Sequence, residues 1–160
     1  VHTAQVHMGN TVAVWGVGGV GAHLVQLSKL AGAVPVIAVD LNDAVLERAK
    51  RLGADYAFRS DDPDLMKKIE DITDGRMVDI AFDAVGIQPT LRACVESLDI
   101  NGKAVSIGLS PQNIDAGTFL EFNLKKKQLL GHLGYKRQDI AKRDADKEIR
   151  RELGRRYKGM

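Results

Sequence analysis

The sequence is poor in cysteine, in net charge and in long apolar runs, and each shortage excludes a class of protein. Its single cysteine, Cys94, excludes an internal disulfide and fits a reducing compartment, so we expect a cytoplasmic protein. No stretch is long and apolar enough to span a membrane, and no signal peptide is visible. A formal net charge of +2 over 160 residues gives no reason to expect nucleic acid as a partner.

Three signatures of catalytic or phosphate-binding sites are also absent. The four histidines and the cysteine form no cluster with the spacing of zinc ligands. The phosphate loop of nucleotide triphosphatases needs Lys-Ser or Lys-Thr after its last glycine, but Ala22 and His23 follow Gly21. No tyrosine has a lysine four positions later, as a short-chain dehydrogenase would require. The sequence therefore assigns no catalytic residue and no metal ligand.

A glycine-rich turn between an apolar segment and a helical one is the strongest positive signal. Residues 11–15 are β-branched and apolar, as in a buried parallel strand, and residues 20–30 repeat apolar side chains at helical spacing. Between them the chain reads Gly16-Val17-Gly18-Gly19-Val20-Gly21, the G-x-G-x-x-G pattern of dinucleotide-binding proteins. Gly16 predicts a tight turn, Gly18 room for a pyrophosphate and Gly21 close packing of the helix on the strand. The helix start would offer N–H groups and a partial positive charge to the anion.

An acid at the end of the second predicted strand indicates which dinucleotide would bind. Asp40 closes the apolar segment 34–39, nineteen positions after Gly21. A carboxylate there accepts hydrogen bonds from both ribose hydroxyls and repels a 2′-phosphate, which favours NAD over NADP. No Arg or Lys follows Asp40 immediately to neutralise such a phosphate. A glycine-rich turn alone is a weak signal, but strand, turn, helix and acid together favour nucleotide binding.

Strands and helices alternate along the chain as far as residue 109. After Asp40 the pattern predicts a helix capped by Asn42 and running to Leu52, with a Glu47–Arg51 pair on its outer face. Further helices are predicted to open at Asp62-Pro63 and at Pro89. The remaining predicted strands are 55–59, 77–82, 103–107 and 128–133, and residues 110–123 read as a long loop with at most a short irregular element. This alternation predicts an α/β fold, a Rossmann, doubly wound sheet of six parallel strands.

In such a sheet, ligands bind beyond the carboxyl ends of the strands. That rule brings four segments to one crevice, namely 16–21, 40–41, 83–86 and 107–109. Asp83 lies in the third segment. It either faces the ligand or ties down its own loop, and the sequence leaves both interpretations open.

The two ends of the chain depart from this pattern. The chain opens at Val1 without an initiator Met, which we interpret as the sign of a piece cut from a longer protein. Residues 136–160 carry ten Lys/Arg and five Asp/Glu, a net charge of +5. We therefore divide the chain into an NAD-binding domain, residues 1–140, and a charged helical tail, residues 141–160, which packs on the domain or extends from it. A solvated helix is the simplest interpretation of the tail.

The ordered set of motifs resembles the cofactor-binding domain of the medium-chain dehydrogenase/reductase family, the zinc-type alcohol dehydrogenases. The resemblance covers about residues 1–140. Besides the glycine turn and Asp40, it rests on Leu52-Gly53-Ala54-Asp55-Tyr56, Phe82-Asp83-Ala84-Val85-Gly86, Ser106-Ile107-Gly108-Leu109 and Gly131-His132-Leu133-Gly134-Tyr135.

The resemblance implies where NAD would lie. The glycine turn, residues 16–21, would face the pyrophosphate, and Asp40 with Leu41 would face the adenosine ribose. Family members often carry a basic residue shortly after the ribose acid, where this chain has Asp43, Ala44 and Val45. The adenosine side would be lined by Ala84, Val85 and Gly86, and the nicotinamide side by Ile107, Gly108, Leu109 and Leu133.

The resemblance also implies a function and partners. The parent protein would transfer a hydride between an alcohol or polyol and nicotinamide, with any catalytic zinc in a preceding domain that this chain lacks. The chain alone would bind NADH without turnover. Family members pair through edge strands of this domain, which implies a homo-oligomer, with residues 113–133 as the candidate surface. The open alternatives are an NAD-sensing regulatory module, a zinc-free quinone-reductase-like member of the family and, less favoured by the downstream motifs, a methyltransferase-type nucleotide site.

Overall fold

Six parallel strands form one sheet in the computed structural model, which describes residues 1–134. In chain order the elements are β1 Val12–Trp15, α1 Gly19–Leu30, β2 Val36–Asp40, α2 Asp43–Arg51, β3 Tyr56–Arg59, α3 Leu65–Ile72, β4 Val78–Asp83, α4 Gln88–Glu96, β5 Leu98–Ser106, α5 Phe119–Leu124 and β6 Gln128–Gly131. The tail predicted at residues 141–160, and with it the end of the predicted domain, lies outside the described residues.

The strand order is β3-β2-β1-β4-β5-β6, and every neighbouring pair is parallel. The chain winds outward from β1 to β3, then crosses back and continues from β4 to β6. The order therefore reverses between β1 and β4, whose carboxyl ends lie side by side with Trp15 paired to Asp83. This arrangement confirms the predicted Rossmann, doubly wound sheet of six parallel strands.

Alternate residues of the central strands enter two separate cores because successive side chains of a strand point to opposite faces. On one face Val12 and Val14 pack with Leu24 and Val25 of α1. On the other face Ala13 and Trp15 pack in a cluster that includes side chains of α3 and α4. Both faces of β1 are fully buried, as its unbroken apolar run requires.

Several element boundaries differ from the predicted ones. The third helix begins at Leu65 rather than at Asp62-Pro63, because the Asp62 carboxylate accepts the backbone N–H of Asp64 (2.9 Å) and forms a local turn before the helix. Strand β5 begins at Leu98 rather than at residue 103, because its pairing with β4 continues past a register shift. The short helix α5 lies in the predicted loop, with Thr118 as its N-cap.

Helix α2 confirms its predicted cap and corrects its predicted ion pair. The side-chain oxygen of Asn42 accepts the backbone N–H groups of Ala44 and Val45. Glu47 pairs with Lys50, one turn away at 2.7 Å, rather than with Arg51. Within residues 1–134, no helix combines the length and the apolarity that crossing a membrane requires.

Candidate functional site

The glycine turn joins β1 to α1 where the strand order reverses. Gly16 has φ +80°, a left-handed conformation that strains any residue with a side chain. A Cβ on Gly21 would lie 1.8 Å from the carbonyl oxygen of Gly16, so only glycine lets α1 start this close to the turn. The two positions therefore shape the turn in the way that the motif predicts.

Open space lies in front of the first turn of α1. A Cβ added to Gly18 or Gly19 would meet no atom within 4 Å. Gly18 is the N-cap, no side chain caps the helix, and its first turn holds no acidic residue. The first N–H groups of any helix lack an intrahelical acceptor and carry partial positive charge. This helix start therefore presents unblocked donors to an anion.

Asp40 fastens the glycine turn to the end of β2. Its Oδ2 accepts the backbone N–H of Val17 at 2.9 Å, and its Oδ1 accepts the backbone N–H of Asn42 at 3.0 Å. Each carboxylate oxygen can accept a further hydrogen bond. Because Asp40 is only half-buried and lines a cavity, those positions are within reach of a ligand's hydroxyl groups.

Arg48 of α2 contacts the same turn from the opposite side. Its Nη2 donates to the carbonyl oxygens of Val17 (3.1 Å) and Gly18 (3.0 Å). The sequence pattern does not identify Arg48, because it predicts a cation only in the first residues after Asp40. The sequence does not show what a side chain on the second turn of a helix contacts, because that depends on how the helix packs against the sheet.

A cavity of about 530 Å³ opens in front of the glycine turn. The predicted site residues that line it are Gly16, Gly18, Gly19, Val20, Gly21, Asp40, Leu41, Ala84 and Val85. Val17 does not line it, since its side chain is fully buried in the core. Five lining residues were not predicted, namely Trp15, Val39, Ser60, Ile87 and Thr90. Ser60 directly follows β3, so the rule of strand ends could have found it.

The other predicted residues lie beside or beyond this cavity. Gly86, Gly108 and Leu109 line an adjacent cleft of about 160 Å³, which also includes Ile87. The loops after β4 and β5 meet there backbone to backbone, since a Cβ on Gly108 would lie 2.1 Å from the nitrogen of Gly86. Ile107 lines neither space, and Leu133 lies past the end of β6 with 77% of its surface exposed.

The structure favours the loop-tying interpretation of Asp83. Its side chain is buried, and Oδ1 accepts the backbone N–H groups of Val85 and Gly86 (both 3.1 Å) and the hydroxyl of Thr90 (3.0 Å). The carboxylate thus holds the loop after β4 against the start of α4. Through that loop it positions Ala84 and Val85 at the cavity.

The described residues provide neither a reactive thiol nor a metal site. Cys94 is fully buried, and burial together with the negative charge of Asp83 raises the pKa of its thiol well above the ordinary value. Cys94 is therefore a packed and unreactive thiol. No group of three or more His, Cys, Asp or Glu within residues 1–134 could hold a metal ion.

The cavity fits a dinucleotide in four respects. The unblocked helix start matches a pyrophosphate, and the half-buried Asp40 matches a ribose diol. Apolar side chains of Leu41, Val85 and Ile87 supply walls for a planar base. A volume of about 530 Å³ falls within the usual range of small-molecule sites.

Known proteins are similar to this chain in sequence and in fold. A family model described as zinc-binding dehydrogenase matches residues 19–148. The sorbitol dehydrogenase of Bacillus subtilis is 34% identical over 116 residues, which are 71% of this chain and 33% of the relative. The chain therefore spans about a third of that relative's length.

Solved structures agree with the sequence matches. The apo form of zinc-dependent alcohol dehydrogenase 2 from Streptococcus pneumonia is 30% identical with a TM-score of 0.79, over 83% of this chain and 39% of that one. A structure described as an NAD-dependent alcohol dehydrogenase is 26% identical with a TM-score of 0.78, over 87% of this chain and 40% of that one.

Proposed function

The chain belongs to the zinc-binding dehydrogenase family, and we propose that it is the NAD(H)-binding domain of an alcohol or polyol dehydrogenase. One observation carries the proposal: the unblocked start of α1 and the carboxylate of Asp40 line the same cavity at the reversal of strand order. These two groups match the pyrophosphate and a ribose of one ligand. The names of the relatives support the class of reaction.

In this proposal the cofactor crosses the carboxyl edge of the sheet. The pyrophosphate lies at the glycine turn, the adenosine ribose on Asp40 and Leu41, and the adenine between Val85 and Ile87. The nicotinamide lies toward the loops that carry Ile107, Gly108, Leu109 and Leu133. When bound, nicotinamide supplies the hydride acceptor or donor, and the residues of this chain bind and orient it.

The partners of this domain follow from the same family membership. A small alcohol, or its carbonyl product, would be the substrate of the parent enzyme. Any catalytic zinc and its ligands would lie in the part of the relatives that this chain does not span. The cytoplasmic location and the homo-oligomer stay predictions.

Comparing NADH with NADPH tests the role of Asp40. We expect the 160-residue chain to bind NADH at least about tenfold more tightly than NADPH, because the carboxylate accepts ribose hydroxyls and repels a 2′-phosphate. Asp40→Asn should weaken NADH binding and narrow that ratio. Binding is followed by the fluorescence of the single tryptophan, Trp15, which lines the cavity.

Asp43→Asn is the matched control, since it removes an acid three positions away that pairs with Arg59 at the surface. It should leave both affinities unchanged. Equal or tighter NADPH binding by the wild-type chain would contradict the role of Asp40. Absence of binding by both nucleotides would contradict the proposed function itself.

Two other functions use the same fold, and residues 1–134, which hold no metal-ligand cluster, do not separate them from the first. An NAD-sensing module would bind NADH but support no alcohol oxidation in the full-length protein. A zinc-free reductase of the same family would be active in the presence of metal chelators. A turnover assay of the full-length protein with and without chelator separates the three.

A further inference from the structure

We propose that Arg48 is a positioning residue for the pyrophosphate of the dinucleotide. It fixes the peptide groups of the glycine turn so that their N–H groups face the ligand. The inference rests on the proposed function, and it concerns a side chain that the motif does not include.

Asp40 and Arg48 bind different groups of the turn's backbone: Asp40 binds an N–H, and Arg48 binds carbonyl oxygens. Asp40 accepts the N–H of Val17 at 2.9 Å, while Nη2 of Arg48 donates to the carbonyl oxygens of Val17 and Gly18. In a trans peptide the N–H points opposite to the carbonyl of the same group. The carbonyls of Val17 and Gly18 face Arg48, so the N–H groups of Gly18 and Gly19 point away from it.

Gly18 and Gly19 lie at the start of α1, which the cavity faces. Gly18 and Gly19 line the cavity, whereas Arg48 does not, so the guanidinium acts from behind the turn. Its hydrogen bonds with the carbonyls therefore orient donors toward the ligand without blocking the space that the ligand would occupy.

The glycines of the turn supply no side chain that could hold this orientation by packing. Other restraints come from the Val17 side chain, which is buried in the core, and from the Ala22 N–H, which donates to the Gly18 carbonyl at 3.2 Å. A Cβ at Gly18 or Gly19 would find no atom within 4 Å, and glycine peptides rotate more freely than others. Hydrogen bonds from a residue outside the turn can restrict it while its glycines leave space for a ligand. Arg48 supplies two such bonds, both of them charge-assisted.

Arg48 also brings a positive charge to a site that otherwise holds a negative one. Among the described residues that line the cavity, none is Lys or Arg, while Asp40 carries a negative charge. A pyrophosphate bound at the turn would therefore face the helix start and, behind it, the guanidinium. Both would favour a bound anion.

Replacing Arg48 by glutamine tests the proposal in the full chain. We expect R48Q to bind ADP-ribose and NADH about tenfold more weakly than the wild type, since two hydrogen bonds from a charged group are lost. Adenosine, which lacks the pyrophosphate, should bind R48Q and the wild type equally. R48K, which keeps the charge but not the planar guanidinium, should recover part of the loss.

Arg51→Gln is the matched control because Arg51 is exposed on the same helix and the described hydrogen bonds do not link it to the turn. It should change ADP-ribose affinity less than twofold. Equal ADP-ribose affinity in R48Q and R51Q would overturn the inference, as would an equal loss for adenosine. A loss confined to NADPH would also overturn it. Failure of the wild-type chain to bind ADP-ribose would instead contradict the proposed function.

Discussion

Gly16 and Gly21 must be glycine for different physical reasons. Gly16 needs its left-handed backbone, whereas Gly21 has ordinary helical geometry and lacks only the room for a side chain. Gly18 and Gly19 have both the room and a negative φ, so the fold itself does not demand glycine there. In the proposed function, glycine at those two positions leaves the open space to the pyrophosphate.

Gly21→Ala should therefore destabilise the fold, whereas Gly19→Ala should not. The added methyl of G21A would overlap the carbonyl oxygen of Gly16, and moving backbone to relieve it should lower the free energy of unfolding by about 2 kcal/mol or more. G19A meets no atom and should stay within about 0.5 kcal/mol of the wild type. Urea unfolding followed by Trp15 fluorescence measures both, and equal stability of G21A and wild type would contradict the packing argument.

At the scale of elements, a buried lysine joins the last strand to two helices. Lys127 stands just before β6, and its side chain is 1% exposed. Its Nζ donates to the carbonyl oxygen of Val95 near the end of α4 (2.7 Å) and to Glu121 of α5 (3.0 Å). A cation at a helix C-terminus interacts favourably with the helix dipole. This contact gives the short helix α5, which exposes most of its apolar side chains, a fixed place against the domain.

Lys127→Met should lower the free energy of unfolding by about 1–3 kcal/mol, because the Val95 carbonyl loses a buried donor. Lys125→Met is the matched control: Lys125 approaches the same Glu121 at 4.0 Å, but at the surface, and its loss should change stability by less than about 0.5 kcal/mol. Chemical denaturation of both variants gives the comparison. Equal effects would mean that burial adds nothing to the Lys127 contact.

The same contact predicts a pH dependence. The hydrogen bond from Lys127 lowers the pKa of Glu121 below its ordinary value. The stabilisation is therefore complete above the pKa of the unfolded chain, about 4.3, and is lost as the pH falls through the lowered value. The difference in free energy of unfolding between wild type and K127M should therefore become smaller as the pH falls. The change should be modest, because Glu121 is partly exposed.

At the scale of the whole molecule, three large apolar side chains are exposed on the helix that precedes the edge strand β6. Among residues 1–134, strand β6 pairs with β5 alone, and α5, which precedes it in the chain, exposes 88% of Phe119, 71% of Leu120 and 70% of Leu124. An exposed sheet edge with an apolar neighbour is a surface suited to pairing with a second copy. The three exposed side chains lie within residues 113–133, the surface that the family resemblance implies for a homo-oligomer, whereas Phe122 of the same helix packs against the core.

We expect the chain to sediment as a dimer of 17.4 kDa subunits, and Leu120→Glu to shift it toward monomer. Leu30→Glu, at a residue 84% exposed on α1, is the control and should leave the dimer intact. Sedimentation velocity over a range of concentrations measures the distribution. A wild-type chain that stays monomeric at the highest concentration would contradict the predicted pairing.

The sequence by itself determined the fold class, the glycine turn and the acid after β2. These features are local, since strand alternation, helix caps and G-x-G-x-x-G each depend on residues a few positions apart. The order of the motifs along the chain indicated the resemblance to a known family. For that reason the predicted six-stranded sheet is confirmed, while boundaries such as the starts of α3 and β5 moved by a few residues.

Only the tertiary structure decided which distant groups meet. The hydrogen bond from Arg48 to Val17 joins residues 31 positions apart, and that distance closes only when α2 packs against β2 and β3. The partners of Asp83, the close approach of Gly86 and Gly108 and the burial of Lys127 likewise depend on how loops and helices pack. A sequence pattern specifies each element, but side-chain partners follow from packing, which no local pattern contains.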